Sequence, residues 1–169
     1  MDRFLPITGG LLVFNSSGQD WAFPLHAVQE IAPMAELSSP PGMPPVLAGF
    51  LNLGGVAVPI IRLDKLFELP EQRPGLHAHL IILRSGGEKF IGVLVGSVRR
   101  IANAAPTSFL PVPENNVFQD CAVASVTIDD RVTHVLSPER ILLEQERRML
   151  WELQAMAQHR LDDLGREAQ

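Results

Sequence analysis

Val46-Leu47-Ala48-Gly49-Phe50-Leu51-Asn52-Leu53-Gly54-Gly55-Val56-Ala57-Val58-Pro59-Ile60-Ile61-Arg62-Leu63-Asp64-Lys65-Leu66-Phe67 decides how the whole chain is read. An apolar strand runs into Asn52. The Gly54-Gly55 pair can turn the chain back, because glycine accepts the positive φ that tight hairpin turns need. A second apolar strand follows, interrupted by Pro59, and a short amphipathic tail closes the segment. Apolar runs on both sides of a two-residue glycine turn are a strong hairpin signal.

The rest of the chain repeats this grammar of short strands and punctuation. Strands are expected at 10–16, 20–25, 47–52, 56–61, 79–84, 89–95, 122–128 and 131–136. Turns are expected at Ser17-Gly18, Gly54-Gly55, Ser85-Gly86-Gly87 and Asp129-Asp130. Short strands at this spacing point to an all-β barrel architecture. His26 to Ile31 and Leu63 to Leu69 read as single helical turns. Pro70 to Gly75 is a polar, proline-bounded connector that divides the β region. Pro106 to Asn116 reads as a surface loop.

The C-terminal segment changes period. Ser137 can cap a helix, Pro138 suits its first turn, and Glu139 complements its dipole. Leu143, Leu150, Leu153, Ala157, Leu161 and Leu164 then fall on one stripe at helical spacing. The expected element is one long helix over 138–165. Its stripe can pack on the barrels, or its distal half can bind another helix in a homodimer or a partner. Spacing alone leaves both open.

Composition narrows the function classes. The chain has 169 residues and a formal net charge of -5, which disfavours a nucleic-acid footprint with its clustered basic face. A hydrophobic fraction of 46% is ample for a core. The single cysteine, Cys121, excludes an intramolecular disulfide and fits a reducing compartment. No apolar run reaches the length of a membrane span. Titratable groups do not cluster as catalysis requires. His77 and His79 would share a strand face, but no further ligand lies near them in sequence. His26 and His134 stand alone, and nucleophile-elbow and phosphate-loop motifs are missing. The expectation is a protein without catalytic residues, metal or cofactor.

The order of the segments resembles the CheW-like coupling proteins of bacterial chemotaxis. The resemblance rests on Asn52-Leu53-x-Gly55, on Val56-x-Val58-Pro59-Ile60 and on Leu63-x-x-Leu66-Phe67. Val28-x-Glu30-Ile31, the Pro41–Pro45 approach, Phe90–Val95 with Val98, and Leu136–Leu142 extend it over roughly residues 10 to 143. The resemblance implies two small five-stranded β-barrels packed side by side within a CheW-like domain over 1–143. The first would span about 8–70 and the second about 76–137, with strands exchanged between them. It implies a cytoplasmic adaptor whose partners are a chemoreceptor tip and the regulatory domain of a CheA-type histidine kinase. It places partner contacts at Val28, Glu30, Ile31 and Gly49, at the turn residues Leu53 and Gly54, at Arg62, and in a receptor groove at Val93, Val95 and Val98.

The chain also departs from the family pattern. Gly54 stands where the family usually has arginine, and Arg62 and Gly96 stand where it usually has aspartate. A pairing of Glu30 with Arg62 would replace the lost turn arginine, and the rewritten charges imply altered partner choice, such as a surface-motility pathway. Two other readings remain: a small-molecule-binding β-barrel sensor, and a self-assembling scaffold built on the C-terminal helix.

Overall fold

The computed structural model describes residues 9–71, 73–84, 89–103, 109–111 and 121–167. The eleven strands are β1 Gly10–Ser16, β2 Gln19–Pro24, β3 Val28–Pro33, β4 Leu47–Leu53, β5 Val56–Arg62, β6 His79–Arg84, β7 Phe90–Val95, β8 Ser97–Asn103, β9 Leu110–Pro111, β10 Ala122–Ile128 and β11 Arg131–Leu136. A 3-10 turn at Leu25–Ala27 precedes β3. The α-helices among the described residues are α1 at Leu63–Leu66 and α2 at Pro138–Glu167. The Ser85–Gly87 turn, most of the Pro106–Asn116 loop and the N-terminal eight residues lie outside the described residues.

The strands form two sheets, not two closed barrels. One has six strands in the order β8-β1-β2-β11-β10-β9, the other five in the order β3-β6-β7-β5-β4. Neither order returns to its first strand, so each sheet keeps two edges. Sheet membership does not follow the Pro70–Gly75 connector: β1 and β2 belong with β8 to β11, while β6 and β7 belong with β3 to β5. Two parallel pairs, β2 with β11 and β5 with β7, complete the exchange.

Three apolar clusters explain why so many strands are continuous aliphatic runs. The central cluster lies between the sheets. It takes Leu12, Phe14, Trp21 and Phe23 from one sheet and Ile61, Ile81, Leu83, Ile91, Val93 and Val95 from the other. Leu11, Val13 and Ala22 point the other way, into a second cluster with Ala124, Val126 and Val135. Val58, Ile60, Leu80 and Ile82 do the same on the far side of the five-stranded sheet. Strands such as β1 and β6 are therefore buried on both faces, and alternation of polar and apolar residues vanishes. Each fully buried Val, Leu, Ile or Phe among them stabilises the fold by roughly 1.5–3 kcal/mol. Cys121 is fully buried in the central cluster.

Pairing geometry fixes the glycines that matter. Gly92 sits opposite Ile60 in the parallel β5–β7 pair, and a Cβ there would collide with the Ile60 side chain. The β4–β5 hairpin closes through Gly54 and Gly55, with φ of 59° and 91°. Asn52 Oδ1 accepts a 2.8 Å hydrogen bond from the Gly55 N–H, which locks the turn.

The polar end of the six-stranded sheet is tied by one buried carboxylate. Asp20 accepts from Asn15 Nδ2 at 3.0 Å, from Arg99 at 3.2 Å and from Arg131 at 3.2 Å. These groups come from β1, β8 and β11, so one side chain holds three strands. Ser137 Oγ accepts from the Arg140 N–H at 3.4 Å at the start of α2. Ile141, Glu144 and Gln145 of α2 are buried, and Leu142 and Met149 pack on the central cluster. Leu143, Leu161 and Leu164 are exposed.

Candidate protein-interaction surface

The segment from His26 to Ile31 is a strand, not a helical turn, beyond the short turn ending at Ala27. The expectation failed through a bulge. Val28 lies opposite Leu83 and Glu30 opposite Ile82, so Gln29 is the extra residue. The slip by one returns Ile31, opposite Ile81, to the face that Val28 occupies. Positions three apart thus share a face, as on a helix, for a different reason. Val28 is half-buried on the central cluster, whereas Ile31 is 41% exposed and Met34 just beyond it 40% exposed. Glu30 is exposed on the opposite face.

Gly49 is a close-approach glycine. Its φ is 150°, and a Cβ there would lie 2.8 Å from both the Leu37 Cβ and the Ser38 carbonyl oxygen. Reciprocal backbone hydrogen bonds between Ser38 and Phe50, 2.9 and 2.8 Å long, run beside it. Gly49 is buried, so it shapes the β4 edge and does not itself offer a side-chain contact. Leu53 is half-buried against the third cluster, and Gly54 is exposed at the hairpin tip with Val56, 51% exposed, beside it.

Val93 and Val95 are corrections to the expected groove. They are 0% and 1% exposed, in the central cluster, because β7 is the middle strand of its sheet and faces the other sheet. Val98 is half-buried on the same cluster. Val93 and Val95 do not offer a partner the open face that was expected, whereas Val98 keeps part of its surface exposed.

The Glu30–Arg62 pair does not form. Strands β6 and β7 separate β3 from β5 in the sheet. Arg62 instead grips Asp64 with two hydrogen bonds, Nε to Oδ1 at 3.2 Å and Nη2 to Oδ2 at 2.7 Å. Glu71 adds a longer contact at 3.8 Å. The hydrogen bonding that Arg62 donates to the Asp64 carboxylate raises the Arg62 pKa above its ordinary value, against an opposing desolvation. Sequence reasoning missed Asp64, although it stands two residues from Arg62. It also missed the Asp20 cluster, whose signal was an acid directly before the apolar run Trp21-Ala22-Phe23.

Two of the family departures meet in space. Arg62, Asp64 and Gly96 line one small cleft together with Ser16, Pro74, Leu94 and Val95. No group of three or more potential metal ligands occurs among the described residues. His79 Nδ1 lies 2.7 Å from the His77 carbonyl oxygen. No helix among the described residues is long and apolar enough to cross a membrane.

A sequence model described as a CheW-like domain matches residues 10–146. The chain belongs to the CheW-like family. It is 26% identical over 138 residues to "Probable chemotaxis protein CheW" of Rhizobium etli, covering 80% of this chain and 88% of that protein. It is 32% identical over 73 residues to the chemotaxis protein CheW of Bacillus subtilis, covering 43% of this chain and 47% of that one. The fold matches the crystal structure of the scaffolding protein TtCheW from Thermoanaerobacter tengcongensis with a TM-score of 0.72. That match has 19% identity and covers 82% of this chain and 90% of the other. The family match ends at 146, so most of α2 extends beyond it.

Proposed function

We propose that this chain is a non-catalytic, cytoplasmic adaptor that couples a chemoreceptor tip to the regulatory domain of a CheA-type histidine kinase. The pathway would be chemotaxis or a related motility response. The observation that carries this reading is the family match over residues 10–146. The surface is consistent with it. Exposed apolar residues at β3 and at the hairpin tip, Ile31, Met34 and Val56, are flanked by polar groups, as interfaces of transient complexes are. The mechanism is positional: binding free energy fixes a geometry, and linked weak contacts suffice when many sites sit in one assembly.

The test is a pull-down of the tagged chain from its native host, read by mass spectrometry. Recovery of a chemoreceptor and a CheA-type kinase, both lost in Ile31→Asp, supports the reading. Ile31 is the better test position than Val28, because Val28 is half-buried and a charge there would perturb folding. Recovery of neither partner by a folded chain defeats it.

A self-assembling scaffold is the second reading, favoured by the 62% exposure of both Leu161 and Leu164 on α2. It predicts a concentration-dependent mass for the whole chain and a constant mass for a chain truncated after Glu144.

A further inference from the structure

Among the described residues the two sheets leave four edge strands: β8 and β9, β3 and β4. Exposed edges invite pairing with a foreign strand, and proteins block them with charge, bulges, short length or cover. Three of the four are blocked. Strand β8 carries Arg99 and Arg100, both held in ion pairs, with Asp20 and Asp129. Strand β9 has two residues among those described. Strand β4 is covered by Leu37 to Ser39, through the Ser38–Phe50 bridge and the close approach at Gly49.

Strand β3 differs. Although bulged at Gln29, as β8 is bulged in its turn, it pairs only with β6, and its other side is unpaired among the described residues. It carries no lysine or arginine. None occurs anywhere from Phe4 to Ile61. Glu30 and Glu36 are exposed, and neither makes an ion pair among the described residues. Ile31 and Met34 lie between them, 41% and 40% exposed.

We infer that β3 is a strand-addition site for an extended partner segment in which cationic and apolar residues alternate. Backbone pairing along β3 would supply affinity, and the side chains would supply selection. Residues directly opposite in a sheet share a face. A lysine or arginine opposite Glu30 therefore meets its carboxylate, and an apolar residue opposite Ile31 extends that side chain's contact. The acids also draw a cationic segment toward this edge before it docks. The inference deepens the adaptor reading and rests on it, because β3 would be one of the surfaces by which the adaptor holds a partner.

The probe is a hexapeptide of alternating lysine and valine, titrated into the full chain with amide hydrogen exchange as the readout. Slowed exchange confined to β3 is expected. Methylating alternate backbone nitrogens of the peptide, in either register, should abolish binding in one register. Glu30→Lys should weaken binding roughly fivefold while the unliganded exchange pattern of β6 stays unchanged, which shows the variant is folded. Absence of binding, protection elsewhere, or indifference to both methylated peptides overturns the inference. So does a concentration-dependent dimer in which β3 of a second copy takes the edge. The same exchange experiment with a CheA-type regulatory domain separates the two levels. Binding without protection of β3 removes the strand-addition site and leaves the adaptor reading. No binding removes the adaptor reading itself.

Discussion

Strands β3 and β8 make an instructive pair. Both are edges, both contain a bulge, and both resist reading from the sequence. Yet β8 is fastened and β3 is not. Arg99 of β8 shares the buried Asp20 with Arg131, and Arg100 meets Asp129 at 3.3 Å. The acids of β3 and its following loop, Glu30 and Glu36, stand exposed with no ion pair among the described residues. Charge on an edge has two uses. When satisfied internally it closes the edge, and when left unsatisfied it selects what may join.

Substitutions can break this comparison, and the largest effect is expected at the covered β4 edge. Gly49→Val forces a β-branched residue to a φ of 150° and against the Ser38 carbonyl. A loss of about 3 kcal/mol is expected from the urea midpoint. A shift near zero would show that the cover yields freely. Asp20→Ala comes next, at about 2 kcal/mol, because it strips several charge-assisted hydrogen bonds from a buried carboxylate. The arginines are partly exposed and can turn to water, which keeps the loss below that of a sealed pair. Glu30→Ala should stay within about 0.5 kcal/mol of the parent. Equal losses at Asp20 and Glu30 would erase the distinction between the fastened and the open edge.

Double-mutant cycles sharpen it further. Arg62 and Asp64 should couple by about 1 kcal/mol, given their two hydrogen bonds and partial burial. Arg62 and Glu30 should be additive. Measurable coupling between those two would bring β3 and β5 closer than the sheet order allows.

The smallest effect is a pH dependence on the fastened sheet. Burial lowers the His134 pKa below its ordinary value of 6.5, beside the Trp21 ring at 5.7 Å. The unfolded chain then takes up a proton near pH 6.5 that the folded chain takes up only at lower pH. Stability is therefore complete above 6.5 and falls as the pH drops below it, until the folded histidine is also protonated. His134→Gln should flatten that part of the curve, measured by urea unfolding between neutral and mildly acidic pH. An unchanged slope would assign the dependence to other groups.

Most of the sheet architecture was legible, and the exceptions share a cause. The β4–β5 hairpin could be read because two glycines of positive φ sit between apolar runs. The strands buried on both faces, such as β1 and β6, announced themselves as continuous aliphatic segments. Strand β3 looked helical because the bulge at Gln29 spaces Val28 and Ile31 three apart on one face. Strand β8 gave no strand signal at all, since Arg99 and Arg100 break its apolar pattern at the bulge. Which face of β7 is buried could not be read, because a run of aliphatic residues on a strand looks alike on both faces. Val93 and Val95 were therefore placed in a groove when they belong to the core. Arg62 was assigned a partner across the sheet when Asp64, two residues on, was within reach.

The central claim is that the chain bridges two partners. Sedimentation velocity on a mixture of the full chain, a CheA-type regulatory domain and a chemoreceptor tip fragment tests it most directly. The account predicts a ternary species that Ile31→Asp weakens or removes without unfolding the chain. A folded chain that sediments alone, with either partner or with both, would contradict it.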